Sequence, residues 1–368
     1  MLGFRTIEVK ASFPVSMPGA SHTLDDLLAG EPLRALAKGR FTSAHLVRWS
    51  AAMENWEKIH YDETFAREVA KLPERVINGS LKQHFLAQFL CEAFDARGWV
   101  WRIEYQFRGM DFVGQTLEVR GRVTGVVDTA LHRFVSVEVA IVNADTGAEN
   151  TTARGVVVLA RDGAPLTTMD GVLPPAALVS PLDRVVCDGD VPAVVRSKLG
   201  CAIETLVSYY PVGLSRLRLF AEAVMGLRPV HFDPAAAADS PFGTVVGSPL
   251  FPMHAIEHLP GTARLEEDER ASGREGSSGI VGRGLAPMLG IDETGLLNGG
   301  SMVEVRSLVR CGGLVRVDSV LTGARRRQGR RGGDMLFLER TNTYCDQDGR
   351  VLLVHRPTTI LRMDVTRF

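Results

Sequence analysis

The sequence predicts an α+β fold built twice in one chain, each copy a long buried helix against antiparallel strands. Three observations carry that expectation. Leu81, Phe85, Leu86, Phe89, Leu90 and Phe94 recur at helical spacing between Asn78-Gly79-Ser80 and Gly98. Trp99, Trp101, Ile103, Tyr105 and Phe107 then alternate with Val100, Arg102, Glu104, Gln106 and Arg108, the two-residue period of a strand with one face in a core. Landmarks of residues 1–160 return in the same order in residues 185–368.

The repeat can be laid out residue by residue. Residues 49–66 (WSAAMENWEKIHYDETFA) are similar to residues 220–237 (FAEAVMGLRPVHFDPAAA). With His60 on His231, an offset of 171, Ala52 meets Ala223, Ile59 meets Val230, Tyr61 meets Phe232 and Asp62 meets Asp233. Gly79-Ser80 meets Gly247-Ser248 at an offset of 168, and Val123-Thr124-Gly125 meets Leu321-Thr322-Gly323 at 198. The growth in offset implies 30 extra residues in the second half. They are expected on a surface loop around residues 264–279, whose RLEEDERASGREGSSG has a solvated composition.

The remaining elements follow in order. Leu117, Val119 and Val123, then Val135, Val137, Val139 and Ile141, predict two more strands, and residues 155–160 a buried one. In the second half, strands are expected over 303–308, 314–321, 335–344 and 351–361, with a turn at Asp346-Gln347-Asp348-Gly349. Residues 161–184, with Pro165, Pro174, Pro175 and Pro181, lack both periods and read as a semi-extended linker.

Composition bounds the function. The 368 residues suit two domains, and 45% hydrophobic with 23% charged residues excludes disordered and fibrous classes. A net charge of −1 gives no general drive toward nucleic acid or an anionic membrane. No apolar run approaches the ~18 residues of a membrane span, and the first residues, MLGFRTIEVK, lack a signal-peptide core. Five scattered cysteines never form CxxC, which disfavours a zinc ribbon and fits a reducing, cytoplasmic setting. There is no Walker A motif and no complete GxGxxG.

The densest polar cluster of the first half is Asn55-Trp56-Glu57-Lys58-Ile59-His60-Tyr61-Asp62, between two apolar helical stretches. Asp62 is placed to N-cap the following helix. A neutral imidazole such as His60 can take a proton from water and return it near pH 7. A helix opening at Gly79 offers free N–H groups able to polarise a carbonyl oxygen. Together these suit proton transfer beside a thioester carbonyl.

ENWEKIHYDETFA followed by VINGSLKQHFL resembles the motif of the MaoC-like, (R)-specific enoyl-CoA hydratase and hydroxyacyl-thioester dehydratase family. RPVHFD and GGDMLFLERTNTYCDQDGRVL in the second half are similar to the fatty-acid-synthase-like dehydratase domain fused to such modules. The likeness covers residues 30–160 and 185–363. It implies a double hot-dog fold, two antiparallel sheets each wrapping a central helix as a pseudo-dimer. It also implies a hydro-lyase interconverting 2-enoyl-CoA and 3-hydroxyacyl-CoA. The family pattern is Asp-x-Asn-Pro-x-His and then a His-Gly helix start. Carried over, His60 takes the place of the catalytic histidine, Gly79 that of the oxyanion-hole glycine, and Asn55 that of the aspartate. Asn55 is a departure, since an amide cannot act as a base; it is left to orient water, with Glu57 either a supporting carboxylate or a surface residue. The intact site is expected in the first half. In the second, His231 remains, but Gly226 and Arg228 stand where Asn55 and Glu57 were. The resemblance implies no cofactor, with a CoA thioester as substrate, and leaves room for a homodimer.

Further substrate contacts are expected at Ser80, Arg108, Arg326 and Arg330. The run 325–333 (RRRQGRRGG) reads either as a solvated hairpin or as a contact for CoA phosphates. Arg108 and Asp111 at a strand end read as turn chemistry or as a contact with a polar acyl group. His254-Ala255-Ile256-Glu257-His258 matches the zinc-hydrolase spacing HxxEH but falls on the expected scaffold helix. Two other functions stay open. Hot-dog folds also host thioesterases, although Asn78-Gly79-Ser80 lacks the carboxylate these place at the helix start. A non-catalytic acyl-CoA-binding subunit is compatible with Asn55.

Overall fold

The computed structural model describes residues 29–94, 97–179, 185–257, 281–291, 297–328 and 333–363. Strand β1 (Leu36–Arg40) leads into helix α1 (Ser43–Met53), then through a 3-10 turn at Lys58–His60 and a π turn at Phe65–Val69 into α2 (Gly79–Ala93). Strands β2 (Trp99–Phe107), β3 (Thr116–Asp128), β4 (His132–Asn143) and β5 (Glu149–Ala160) complete the first half. The second half holds β6 (Val186–Asp188), α3 (Ala193–Lys198), β7 (Ala202–Val207), α4 (Leu214–Ala223), a 3-10 turn at Pro229–His231 and α5 (Pro234–Ala238). A 3-10 turn at Phe251–His254 and α6 (Leu285–Leu289) precede β8 (Leu297–Val305), β9 (Val315–Gln328), β10 (Asp334–Asp346) and β11 (Val351–Arg362).

The strands form one eleven-stranded sheet in the order β1-β3-β4-β5-β2-β8-β11-β10-β9-β6, with β7 also on β9. Each half contributes a meander, and the seam is β2 antiparallel to β8, with Ile103 opposite Val303. The two expected sheets are therefore continuous through their central strands. Helix α2 lies against the first half's strands. Its apolar stripe is buried as the spacing predicts, and Lys82, Gln83 and His84 on its other side are buried too. A helix covered all round is a core element rather than a surface one. Sheet and helix approach closely at Gly155, where a Cβ would lie 2.5 Å from Leu90. A side chain there would push α2 off the sheet.

The repeat is visible in the irregularities. The β3–β4 ladder skips Thr124 between Val123 and Gly125, and the β9–β10 ladder skips Thr322 between Leu321 and Gly323. Both halves thus carry a bulge at the same threonine, in agreement with the offset of 198.

The expected match of Gly79-Ser80 to Gly247-Ser248 needs correction. The backbone bonds Val76 N to Ile59 O and Leu81 N to Asn78 O recur as Val246 N to Val230 O and Phe251 N to Ser248 O. The offset is 171 at Ile59 and Val230 but 170 from Val76 and Val246 onward, the spacing of His84 and His254, so Gly79 corresponds to Pro249. The second half also departs from its twin in its helix. His254 ends a 3-10 turn, not a helix like α2, and no described segment of this half forms a helix of comparable length. His258 and the expected insertion at 264–279 lie outside the described residues.

The described part of the linker is docked. Met169 N donates to Arg306 O at 2.8 Å, Met169 and Val172 are buried, and Leu178 O accepts from the Arg102 guanidinium. No helix among the described residues is long and apolar enough to cross a membrane.

Candidate active site

The loop between α1 and α2 is held at both ends by local hydrogen bonds. Asp62 accepts from Phe65 N at 2.9 Å, the cap its position predicts, and Asp233 does the same for Ala235 and Ala236. Asn55 Oδ1 takes a long bond of 3.4 Å from Glu57 N, so its carbonyl helps shape the loop.

His60 is buried, with Nδ1 2.8 Å from the carbonyl of Val76. A carbonyl accepts only, so Nδ1 carries the proton and Nε2 keeps its lone pair. Burial pushes the imidazole pKa below its ordinary value, opposed by the Val76 bond and by Glu57. Glu57 Oε2 lies 3.8 Å from His60 Nε2. Val76 stands three residues before Gly79, so this bond ties the ring to the segment that opens α2.

At that opening, Asn78 is 1% exposed and neither its amide nitrogen nor its amide oxygen has a partner. A buried amide missing both bonds is costly and unusual. Sequence reasoning treated Asn78 only as part of the helix start. Gly79 follows, with the Phe107 ring 3.1 Å from where a Cβ would sit. Ser80 accepts from the Trp49 indole N–H at 3.1 Å, which joins α1 to α2. Lys82 in the first turns of α2 pairs with Asp111 Oδ2 at 2.8 Å, both essentially unexposed, and Asn150 donates to Asp111 Oδ1 at 2.8 Å. Asp111 is therefore the anchor that fixes the 108–112 loop on α2, a stronger role than turn chemistry.

The structure brings His60 and Glu57 together and leaves other expected contacts elsewhere. Arg108 has the strand parity of Glu104 and Gln106 and lines with them a groove on the outer face of the sheet. Arg326 lies on β9, four strands from β2, with its guanidinium on Asp190 and Asp334. Arg330 lies outside the described residues. His254 bonds His84 and Glu257 pairs with Arg216, so these two members of HxxEH have local partners.

The second half keeps the histidine and loses its setting. His231 Nδ1 bonds Val246 O at 2.9 Å as His60 bonds Val76, but Arg228 replaces Glu57. Pro249 replaces Gly79 and has no N–H to offer a carbonyl. Pro252 replaces Lys82, and Val309 replaces Asp111.

Comparison with known proteins agrees with this architecture. Residues 28–153 match the family model for hydroxyacyl-thioester dehydratase type 2, and residues 198–354 match that for the FAS1-like dehydratase domain region. Comparison with curated protein sequences gives no match. Among solved structures, a MaoC domain protein dehydratase from Chloroflexus aurantiacus superposes with a TM-score of 0.62 at 13% identity, over 92% of this chain and 96% of that one. A MaoC-like dehydratase gives 0.55 at 11% identity, covering 91% and 98%. A double hot-dog protein from Mycobacterium tuberculosis gives 0.50 at 15% identity, covering 91% and 97%. At these identities the structures speak to the fold alone, which is a double hot-dog. A dehydratase family model is thus matched by each half: the first is similar to hydroxyacyl-thioester dehydratase type 2 and the second to the FAS1-like dehydratase domain region.

Proposed function

We propose that the first half is a hydro-lyase site that adds water to a 2-enoyl-CoA and removes it from a 3-hydroxyacyl-CoA. The observation that carries this reading is the pair of acceptors at the 3-10 turn between α1 and α2, His60 Nε2 and Glu57 Oε2, 3.8 Å apart. Two acceptors at that separation can each take one hydrogen of a single water, leaving its lone pairs for the β-carbon of the substrate. The thioester oxygen accepts from Gly79 N–H, whose carbonyl-polarising effect is strongest in a dry site. As the water oxygen bonds to the β-carbon, its proton passes to His60 Nε2. The electron pair of the double bond moves onto the α-carbon and the thioester oxygen. Protonation of the α-carbon by the imidazolium completes addition and restores neutral His60.

The family pattern Asp-x-Asn-Pro-x-His reads here as Asn55-x-Glu57-x-x-His60. The acid and the amide have exchanged places, so Glu57 supplies the carboxylate partner and Asn55 orients the water. Ser80, fixed by Trp49, supports the helix opening.

The test is a panel of enoyl-CoA thioesters followed by loss of the conjugated absorbance and by free thiol. Hydration without thiol, lost in His60→Ala, is expected. Thiol release would make the chain a thioesterase, and binding without either signal would make it an acyl-CoA-binding subunit.

A further inference from the structure

The second half's counterpart of the site has changed chemistry rather than merely decayed. Arg228, His231 and Pro249 line two adjoining cavities together with Cys91 of α2. One has walls from Trp99, Val100 and Phe242 with as much polar as apolar surface, and the other, walled by Leu217, Phe220 and Val224, is largely apolar. Ser248 opens into the second, and its hydroxyl is buried without a partner. Burial and Arg228 hold His231 down to about 4, so its ring is neutral. Cys91 is buried with its thiol beside Arg228 and its pKa raised by burial, so it is neutral as well. Glu92, on the wall near α4, has Oε1 2.7 Å from the Gln88 amide. Among the described residues no carboxylate forms an ion pair with Arg228.

A partly buried guanidinium without a counter-ion among the described residues, lining an apolar cavity together with an unpartnered hydroxyl, calls for an anion. The apolar walls select against a fully hydrated one such as phosphate. We propose that this cavity binds a carboxylate carried on a short apolar chain, with Arg228 as counter-ion and Ser248 as second donor. The carboxylate has two possible sources: a free carboxylic acid, or the far end of an acyl group whose thioester is elsewhere on the protein. The second source rests on the hydro-lyase reading; the binding itself does not.

Calorimetric titration of the full chain with hexanoate, 1-hexanol and inorganic phosphate tests the site without reference to activity. Hexanoate is expected to bind at least tenfold more tightly than either comparison compound. Arg228→Gln should abolish that preference, Arg228→Lys should retain part of it, and Ser248→Ala should weaken hexanoate severalfold while preserving the melting temperature. Equal binding of hexanoate and hexanol, preference for phosphate, no binding of hexanoate, or unchanged affinity in both Arg228→Gln and Ser248→Ala would each overturn the proposal. The source is read from kinetics with enoyl-CoA esters with and without a terminal carboxylate. Competition by hexanoate and a raised KM in Arg228→Gln, confined to the carboxylated ester, identifies the acyl end. Hexanoate binding without competition identifies a free acid.

Discussion

His84 Nε2 and His254 Nε2 meet at 2.9 Å, joining α2 to the same position of the second half's turn. The Gln83 amide approaches His254 Nε2 at 3.4 Å. An amide N–H donates, so His254 Nε2 is the acceptor and His84 Nε2 carries the hydrogen. Tyr105 in turn donates to Gln83 Oε1. The two halves are thus joined by a polar chain that is satisfied only while His254 is neutral and keeps its Nε2 lone pair.

That requirement makes the fold acid-labile. Burial holds His84 well below its ordinary value, and with neighbouring positive groups it holds His231 at about 4 and His254 and His355 at about 3. In the unfolded chain these rings titrate near 6.5. Between there and about 4 the unfolded chain binds more protons, so stability present above pH 6.5 is lost as pH falls. The limiting slope is about 1.4 kcal/mol per pH unit for each such ring. Urea unfolding at pH 8, 6 and 5 should show a midpoint that drops steadily below pH 6.5. His254→Gln should flatten the drop. A midpoint independent of pH over this range would refute it.

The buried pair Lys82–Asp111 should behave asymmetrically. Lys82→Met leaves Asp111 dehydrated and without its cation, a loss of about 3–5 kcal/mol. Adding Asp111→Leu removes the stranded charge and should recover a large part of the loss. Chemical denaturation of both variants measures the difference. A double variant no more stable than Lys82→Met would mean that the Asn150 bond and the loop, not the charge, set the stability.

Asn78 offers the opposite balance. Its side chain makes no hydrogen bond, and none to the helix it precedes, so Asn78→Ala has no bond to lose. Melting temperature should stay the same or rise. If a bound thioester supplies the missing partners, turnover should fall at least tenfold. Loss of stability with unchanged turnover would assign Asn78 a packing role instead.

How much of this was legible in the sequence differs from residue to residue. The stripe Leu81 to Phe94 and the alternation from Trp99 to Phe107 reported helix and strand because burial along one face writes a period. Asp62 was legible as a cap because its partner is three residues away. Lys82, Gln83 and His84 break the stripe, and their partners, Asp111, Tyr105 and His254, are distant in the chain, so local pattern carried no sign of their burial. The Gly247-Ser248 match misled because two small residues recur easily, whereas the bonds from His231 to Val246 and from Gly247 to Val309 set the true register. Pro249 becomes meaningful only in that register. Arg108 illustrates parity: one residue further along, its side chain would have faced the opposite side of the sheet.

The acid–base assignment makes the sharpest prediction. His60→Ala should lower turnover by roughly two to four decades if the ring moves the proton. The ionisation of His60 should appear in kcat/KM as an acid limb below the ordinary 6.5, since burial is the largest influence on it. Glu57 raises that pKa by its negative charge, so Glu57→Gln should move the limb to lower pH while also reducing the rate. Asn55→Ala removes no charge and should leave the limb in place. Thus Glu57 and Asn55 are separated by the direction of the pH shift rather than by the size of the rate loss, which either could cause. If Glu57→Gln left the limb where it was and Asn55→Asp raised it, the carboxylate position of the family would still be residue 55, and the exchange of roles inferred from the 3.8 Å contact would be wrong.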